Sequence, residues 1–319
     1  MKVNLDNQSV SLPDFIILGA AKSGTSSLNY WLDDYEGIHM PEPKEPNFFA
    51  FDGFQDDYQK KDDLNRAVDL RNYSFSEYQA LYTGRDDTLN GDASTAYFIY
   101  PDNTIGNIMK YYGDYAASLK LVLALRNPVD KIYSHYLMFV KWGVETRSFR
   151  QALGLDKGKV ASKVERQINY VEMGYLADSL EKFQRAFSGN LKVVLFDDLV
   201  VDKLSVFMSV VDHIGFKASE LPRNIDNVFN EGGIPIRSTS KAVMNYRQQD
   251  NVFRSLIRRF IPLSVKKKLA FHLDNFLQRN FTSKPKLDSE TRKYLETLYR
   301  EDVRKTEALL GRDLSAWIS

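Results

Sequence analysis

The stretch Asp14–Leu32, D-F-I-I-L-G-A-A-K-S-G-T-S-S-L-N-Y-W-L, decides the fold. Its apolar run Phe15-Ile16-Ile17-Leu18 is long enough for one buried strand, and Leu28, Trp31 and Leu32 then recur at helical spacing. Between them lies the turn Gly19–Thr25, which holds a lysine and hydroxyls. A strand, a glycine-bounded turn and a helix cradle phosphate, because N–H groups at the helix N-terminus point at the ligand and the helix dipole favours an anion there. The stretch departs from the Walker A pattern G-x-x-x-x-G-K-[ST] in one place. Gly19 and Gly24 keep the spacing, but Thr25 follows the second glycine and Lys22 lies inside the loop. The lysine therefore reaches a ligand from another point on the turn, and nothing assures a magnesium-nucleotide arrangement. An ordinary βα turn that happens to contain lysine is the bland alternative.

Working outward, Lys120–Leu125 is a second strand, nearly continuous in apolar residues as strands of buried parallel sheets are. It ends at Arg126-Asn127-Pro128, in which Asn127 suits an N-cap and Pro128 a first helical position. A magnesium-nucleotide enzyme often has a carboxylate at the comparable strand end. Here the residue is Arg126, which can fork two bonds to a phosphate, with Ser134 about two turns into the helix that follows. A structural salt bridge is the alternative for Arg126. Leu191–Phe196 reads as a third buried strand between helical segments at 165–187 and 204–214. This βαβα alternation predicts an α/β fold, a P-loop-NTPase-like parallel sheet flanked by helices on both faces.

Three prolines, Pro41, Pro43 and Pro46, fix a stiff path that presents Lys44 and Glu45 beside Phe48, Phe49 and Phe51. Residues 52–73 read as a surface excursion, Tyr78–Tyr82 as part of a short helix, and Asn90–Tyr97 as a strand end entering a hydroxyl-bearing loop. A helix starts at Pro101 and runs to about Tyr112. Residues 230–238 form a turn that delivers Arg237. The basic stretch 254–268 reads as a solvated face packed on the domain, with peripheral membrane contact as the lesser alternative. Asp288 caps a C-terminal helix whose buried stripe is Leu295, Leu298, Leu309 and Leu310. No repeat or clear linker divides the chain, so one domain spans 1–319: an α/β core over 14–215, then a covering loop and C-terminal helices over 216–319.

Composition narrows the function. Among 319 residues, 43 Lys and Arg nearly cancel 42 Asp and Glu, which favours neither nucleic acid nor membrane as a partner. There is no cysteine, so disulfides, thiolate catalysis and cysteine zinc sites are excluded. His39, His135, His213 and His272 are scattered without metal-ligand spacing; His135 reads as packed, and His39 alone falls near the candidate site. No G-x-S-x-G elbow and no dinucleotide G-x-G-x-x-G is present. Residues 1–13 contain no secretory signal pattern and no apolar run reaches 18 residues, so the expectation is a soluble, cytoplasmic protein.

Several segments together resemble the sulfotransferases that use 3′-phosphoadenosine 5′-phosphosulfate (PAPS). A-A-K-S-G-T-S-S looks like their 5′-phosphosulfate loop, R-N-P-V-D-K-I-Y-S-H-Y like their 3′-phosphate segment, and K-E-P-N-F-F like the K-E-x-x-F-F element of heparan-sulfate-type and many bacterial members. G-D-A-S-T-A-Y, G-G-I-P-I-R-S and L-L-G-R-D-L-S-A-W are similar to bacterial members as well. The resemblance implies a PAPS donor, a PAP product and no required metal. It implies that Lys22 stabilises the leaving PAP and that Ser23, Gly24, Thr25, Ser26 and Ser27 hold the 5′-phosphate. It further implies that Arg126 and Ser134 grip the 3′-phosphate, that Arg237 closes over the nucleotide, and that Glu45 is the general base toward an acceptor hydroxyl. Lys44, Asn47 and Ser94 are the implied substrate contacts. Asn47 stands where heparan-sulfate-type enzymes often carry histidine, and Ser94 where they carry lysine, so the acceptor is expected to differ from theirs. The expected acceptor is a carbohydrate, glycolipid or small-metabolite hydroxyl, and the expected enzyme is bacterial-type and cytoplasmic. A small-molecule kinase using Mg-ATP is the competing expectation, and a binding module without turnover is the third.

Overall fold

The computed structural model describes residues 1–5, 8–53, 73–154, 169–226, 234–235, 282–283 and 285–318. Two short strands, β1 (Lys2–Leu5) and β2 (Gln8–Ser11), form an antiparallel pair that buries Val3 against Val10. Strand β3 (Phe15–Gly19) follows and leads through the glycine-bounded turn into helix α1 (Thr25–Leu32). Next come β4 (Ile38–His39), β5 (Leu89–Ala93), helix α2 (Pro101–Tyr112), β6 (Lys120–Leu125) and helix α3 (Pro128–Trp142). Helix α4 (Ala177–Ala186), β7 (Leu191–Leu195) and helix α5 (Lys203–His213) complete the alternation. Strands β8 (Ile234–Pro235) and β9 (Thr282–Ser283) pair with each other, and the long helix α6 (Ser289–Leu310) runs near the C-terminus.

The central sheet has five strands in the order β4-β5-β3-β6-β7, all parallel. Alternation along β3 and β6 builds the two faces, since successive side chains of a strand point to opposite sides. Ile16, Leu18, Leu121, Leu123 and Leu125 enter one core with residues of α2, α3, α4 and α6. Phe15, Ile17, Val122 and Ala124 enter the other with Leu28, Trp31 and Leu32 of α1 and Phe207, Val210 and Val211 of α5. The sheet is thus covered on both sides, as the apolar strands β3 and β6 at its centre require. The α/β, P-loop-like architecture expected from the sequence is the one observed.

The order has a functional consequence. From β3 the chain winds one way to β4 and β5, then crosses to the other side of β3 for β6 and β7. Such a reversal opens a crevice beyond the carboxyl ends of the strands, where open α/β sheets bind ligands. The loop after β3 and the turn after β6 both lie there.

Local details match or correct the sequence reading. Asn127 caps α3, accepting from the Val129 and Asp130 N–H groups at 2.9 and 3.4 Å, with Pro128 in the first turn. Asp288 caps α6, accepting from the Thr291 N–H at 2.8 Å. The buried stripe of α6 is Thr291, Leu295, Tyr299, Val303 and Thr306; of the four leucines expected there only Leu295 is fully buried, and Leu298, Leu309 and Leu310 lie at the margin. The reason is an i, i+4 ridge that puts Tyr299 against Gly174, where an added Cβ would lie 2.1 Å from the Tyr299 ring. The N-terminal strand pair was missed because each strand is four residues long and its alternation is too brief to register.

Candidate active site

The loop after β3 is built to leave anion-binding groups unspent. Gly24 stands at the N-cap of α1 with φ 95°, a left-handed conformation that glycine adopts without a Cβ penalty. A Cβ there would press within 3.3 Å of Leu199 and Phe196. The N-cap residue makes no side-chain cap bond and no acidic residue occupies the first turn of α1, and the dipole at such a helix N-terminus favours an anion. Ser23 is fully buried in this loop and its hydroxyl has no hydrogen-bond partner there, a costly state unless a ligand completes it. Thr25 is buried, whereas Ser26 and Ser27 are half-buried along the first turn.

Lys22 has φ 65°, and the Arg126 guanidinium donates to its carbonyl oxygen at 3.0 Å. Its ammonium rests 3.8 Å from the Met138 thioether, a weak acceptor. Burial, reinforced by the cationic Lys141 and Arg126 and opposed by Glu45, lowers its pKa to about 8. Arg126 in turn lies over the Phe196 ring at 4.3 Å. Its own pKa is lowered, chiefly by burial, against the pull of Asp130 and Asp197. The two cations expected at separate rims are therefore joined through the Lys22 carbonyl into one basic wall. Ser134 is buried on α3 one turn before Met138, on the face that meets Lys22.

Glu45 closes the other side of the site. Its carboxylate is bonded to the Lys44 ammonium at 2.5 Å and accepts from the Thr95 hydroxyl at 2.9 Å. Burial alone would raise its pKa, but the Lys44 charge and the hydrogen bonds from Lys44 and Thr95 outweigh it and hold the carboxyl below its ordinary range. Glu45 and Asn47 both have left-handed backbones, with φ 62° and 56°. Among the described residues, Lys22, Glu45 and Asn47 are the only non-glycine residues with positive φ. Backbone strain of this kind persists where the surroundings over-determine it, and it concentrates at functional sites.

The expected substrate contacts fall differently. Lys44 is paired with Glu45. Asn47 is buried and donates its side-chain amide to the Glu45 carbonyl at 2.7 Å. Ser94 is buried, donating to Asp92 at 2.8 Å and accepting from the Asn47 N–H at 3.0 Å. Both therefore stand behind Glu45, inside the protein. His39 bonds the Leu81 carbonyl at 3.0 Å, and His135 is packed against Phe139 and Tyr170. Arg237, the segment 254–268 and residues 54–72 of the expected surface excursion lie outside the described residues.

Sequence reasoning missed four participants. Lys141 carries a signal in hindsight: Ser134, Met138 and Lys141 recur at i, i+4 and i+7 along α3. Phe196 follows β7 directly, and nothing in the sequence links it to Arg126. Asp92 and Thr95 sit in the stretch that reads as a strand end entering a hydroxyl-bearing loop, where no local signal links either of them to Glu45. The C-terminal stretch ties the rim together: Trp317 donates to Asp197 at 2.7 Å, its carbonyl accepts from Asn127 at 3.2 Å, and Arg312 bonds Asp198.

An α/β sheet with a glycine-bounded loop at its switch point defines the class as a P-loop-like α/β fold. Within that class the chain is similar to sulfotransferases. It is 24% identical over 292 residues to human carbohydrate sulfotransferase 15, covering 79% of this chain and 49% of that protein. It is 26% identical over 140 residues to a membrane-associated sulfotransferase of Dictyostelium discoideum, covering 44% of this chain and 26% of that protein. The chain thus spans about half or less of the length of these curated relatives. The crystal structure of a sulfotransferase from Alicyclobacillus acidocaldarius shares its fold, with a TM-score of 0.68 and 24% identity over 97% of this chain and 100% of that one. No family model matches the chain. No helix among the described residues is long and apolar enough to cross a membrane.

Proposed function

We propose that the chain is a PAPS-dependent sulfotransferase that moves a sulfuryl group onto an acceptor hydroxyl by in-line displacement. The observation that carries the reading is the pair of cations Lys22 and Arg126, joined through one carbonyl, with the Glu45 carboxylate close enough to act on the Lys22 charge. The unpartnered Ser23 hydroxyl and the N-terminus of α1 fit a 5′-phosphate. Arg126 and Ser134 fit a second phosphate on the α3 side, which favours a 3′-phosphorylated nucleotide. The α3 N-terminus itself is spent on Asn127 and Asp130, so side chains hold that phosphate.

The bound donor supplies an electrophilic sulfur and a phosphate leaving group. Glu45 takes the proton of the acceptor hydroxyl while the acceptor oxygen bonds to sulfur. Lys22 stabilises the negative charge that develops as the sulfur–oxygen bond to the 5′-phosphate breaks. Lys44 and Thr95 keep Glu45 ionised and ready to accept that proton. Arg237 closes over the nucleotide in this reading, as the resemblance implies. A carbohydrate hydroxyl is the preferred acceptor class, supported by the relative named as a carbohydrate sulfotransferase. The reading includes a cytoplasmic location; fractionation with membranes, as for the membrane-associated relative, would overturn that part of it.

Calorimetric titration of PAP and ADP without magnesium tests the donor. PAP is expected to bind at least tenfold more tightly, about 1.4 kcal/mol, and equal or absent binding removes the assignment. An acceptor screen with labelled PAPS then tests turnover, and a Glu45→Gln enzyme of unchanged rate would remove the base. Magnesium-dependent ATP turnover is the outcome that favours a kinase instead.

A further inference from the structure

We infer that Thr95 is a positioning residue for Glu45 and that Asp92, acting through Ser94, holds the turn that carries this carboxylate. The inference rests on the proposed role of Glu45, and it begins from a hydroxyl in an unexpected place. Thr95 stands at the N-cap of the helical turn Ala96–Ile99, where a threonine hydroxyl ordinarily accepts from an N–H of the first turn. It makes no such bond. It reaches instead across 50 residues of sequence and donates to Glu45 Oε2 at 2.9 Å. Its local cap is given up for a contact with one carboxylate oxygen, leaving Glu45 Oε1 on the Lys44 side.

Behind this contact runs a second one. Asp92 is fully buried at the end of β5 and accepts from the hydroxyls of Tyr78 at 2.7 Å, Tyr97 at 2.6 Å and Ser94 at 2.8 Å. The Ser94 hydroxyl, oriented by that donation, accepts from the Asn47 N–H at 3.0 Å, and the Asn47 amide returns to the Glu45 carbonyl. Glu45 and Asn47 are both in the left-handed region, which is sterically costly for non-glycine residues. A turn strained at two positions holds one shape only when fixed from outside. The chain Asp92–Ser94–Asn47 supplies that fixation to the backbone, and Thr95 supplies it to the side chain.

The charged groups acting on Glu45 are Lys44 in direct contact, with Lys22 and Asp92 near enough to be felt. Replacing Thr95 by valine leaves all three in place and removes a single donor. The backbone N–H of Thr95, which also favours the carboxylate, survives the change. Thr95 is half-buried and its side chain caps nothing, so Thr95→Val is compatible with folding.

The test follows the Glu45 carboxyl by carbon-13 NMR in glutamate-labelled protein, its resonance assigned by loss in Glu45→Gln. Thr95→Val is expected to move the Glu45 titration upward, with Thr95→Ser returning it to the wild-type position. Ser94→Ala, which frees the Asn47 N–H, is expected to broaden or shift the same resonance with Thr95 intact. A Glu45 titration unmoved in both Thr95→Val and Ser94→Ala overturns the inference. Neither measurement needs an acceptor. PAP affinity is read alongside: unchanged affinity in Thr95→Val separates positioning of Glu45 from general disruption, and a wild-type protein that fails to bind PAP removes the donor reading while the Glu45 titration still decides this one. Once an acceptor is found, Thr95→Val should lower kcat and leave KM for PAPS unchanged.

Discussion

Lys22 is the residue on which the donor reading turns, and its surroundings make a prediction about protons. Burial and the neighbouring cations lower its pKa to about 8, so above that pH the empty site holds it neutral. A bound phosphate favours the ammonium form and raises the pKa again. Binding above pH 8 must therefore load a proton onto Lys22, and PAP affinity falls as pH rises through 8, approaching about tenfold per pH unit. Calorimetry at pH 8.5 in two buffers of different ionisation enthalpy should read uptake of most of one proton in the wild type and none in Lys22→Met. Equal uptake in both would assign the proton elsewhere. With an acceptor in hand, Lys22→Ala should lower kcat by roughly 10²–10³ if the ammonium stabilises the leaving group. At this scale the sequence was legible where chemistry and position coincide: a lysine displaced within a glycine-bounded loop is visible in one dimension. That its carbonyl is held by Arg126 was not, because a bond across 104 residues leaves no local trace.

Among the elements, β3 with its loop and α1, and β6 with its Asn127-Pro128 cap, are where the sequence reading and the structure agree most closely. Each couples a run of apolar residues to a local signal at its end, and both signals act within a few residues. Strand β5 is legible only in part, as a strand end near Asn90. Leu89–Ala93 contains Asn90, Gly91 and Asp92 and has little strand propensity, yet it lies between β4 and β3 in the sheet. Tertiary packing decides it: a Cβ on Gly91 would fall 2.3 Å from the Phe15 ring, and Asp92 is buried among tyrosines. Burial raises the Asp92 carboxyl from 3.8 to about 6 despite the hydroxyls of Tyr97, Tyr78 and Ser94, which favour the charged form. A carboxyl raised in the fold binds its proton more tightly there than in the unfolded chain. Its cost to stability is absent below about pH 4, grows as pH rises to 6, and reaches about 3 kcal/mol at neutral pH. Asp92→Asn removes that slope. Relative to wild type it should gain up to about 3 kcal/mol between pH 4 and 7, read from urea denaturation at the two pH values. A relative stability that does not change with pH would mean that Asp92 titrates near its ordinary value in the fold.

The whole molecule places its charges according to the winding of its sheet. Reversal of winding at β3 brings together the loop after β3, the turn after β6 and the segment after β7, which are far apart in sequence. The C-terminal stretch then bonds the last two to each other through Trp317, and Arg312 adds a bond to Asp198 after β7. A ligand held at this point should stabilise the ends of three strands at once. The wild-type protein with PAP at about 100 times its dissociation constant should gain about 2.7 kcal/mol. Hydrogen exchange should show slowed amides in peptides covering 20–28, 126–134 and 196–199. The β1–β2 pair packs beside α2, away from the strand ends, and its locally opening amides should exchange at an unchanged rate. Magnesium should make no difference to this pattern, and ADP should protect 20–28 more than 126–134, because it lacks the phosphate that Arg126 and Ser134 would hold. Equal protection of both segments by ADP would mean that the α3 side does not read a 3′-phosphate, and the two-phosphate clamp would reduce to the single loop with which the sequence began.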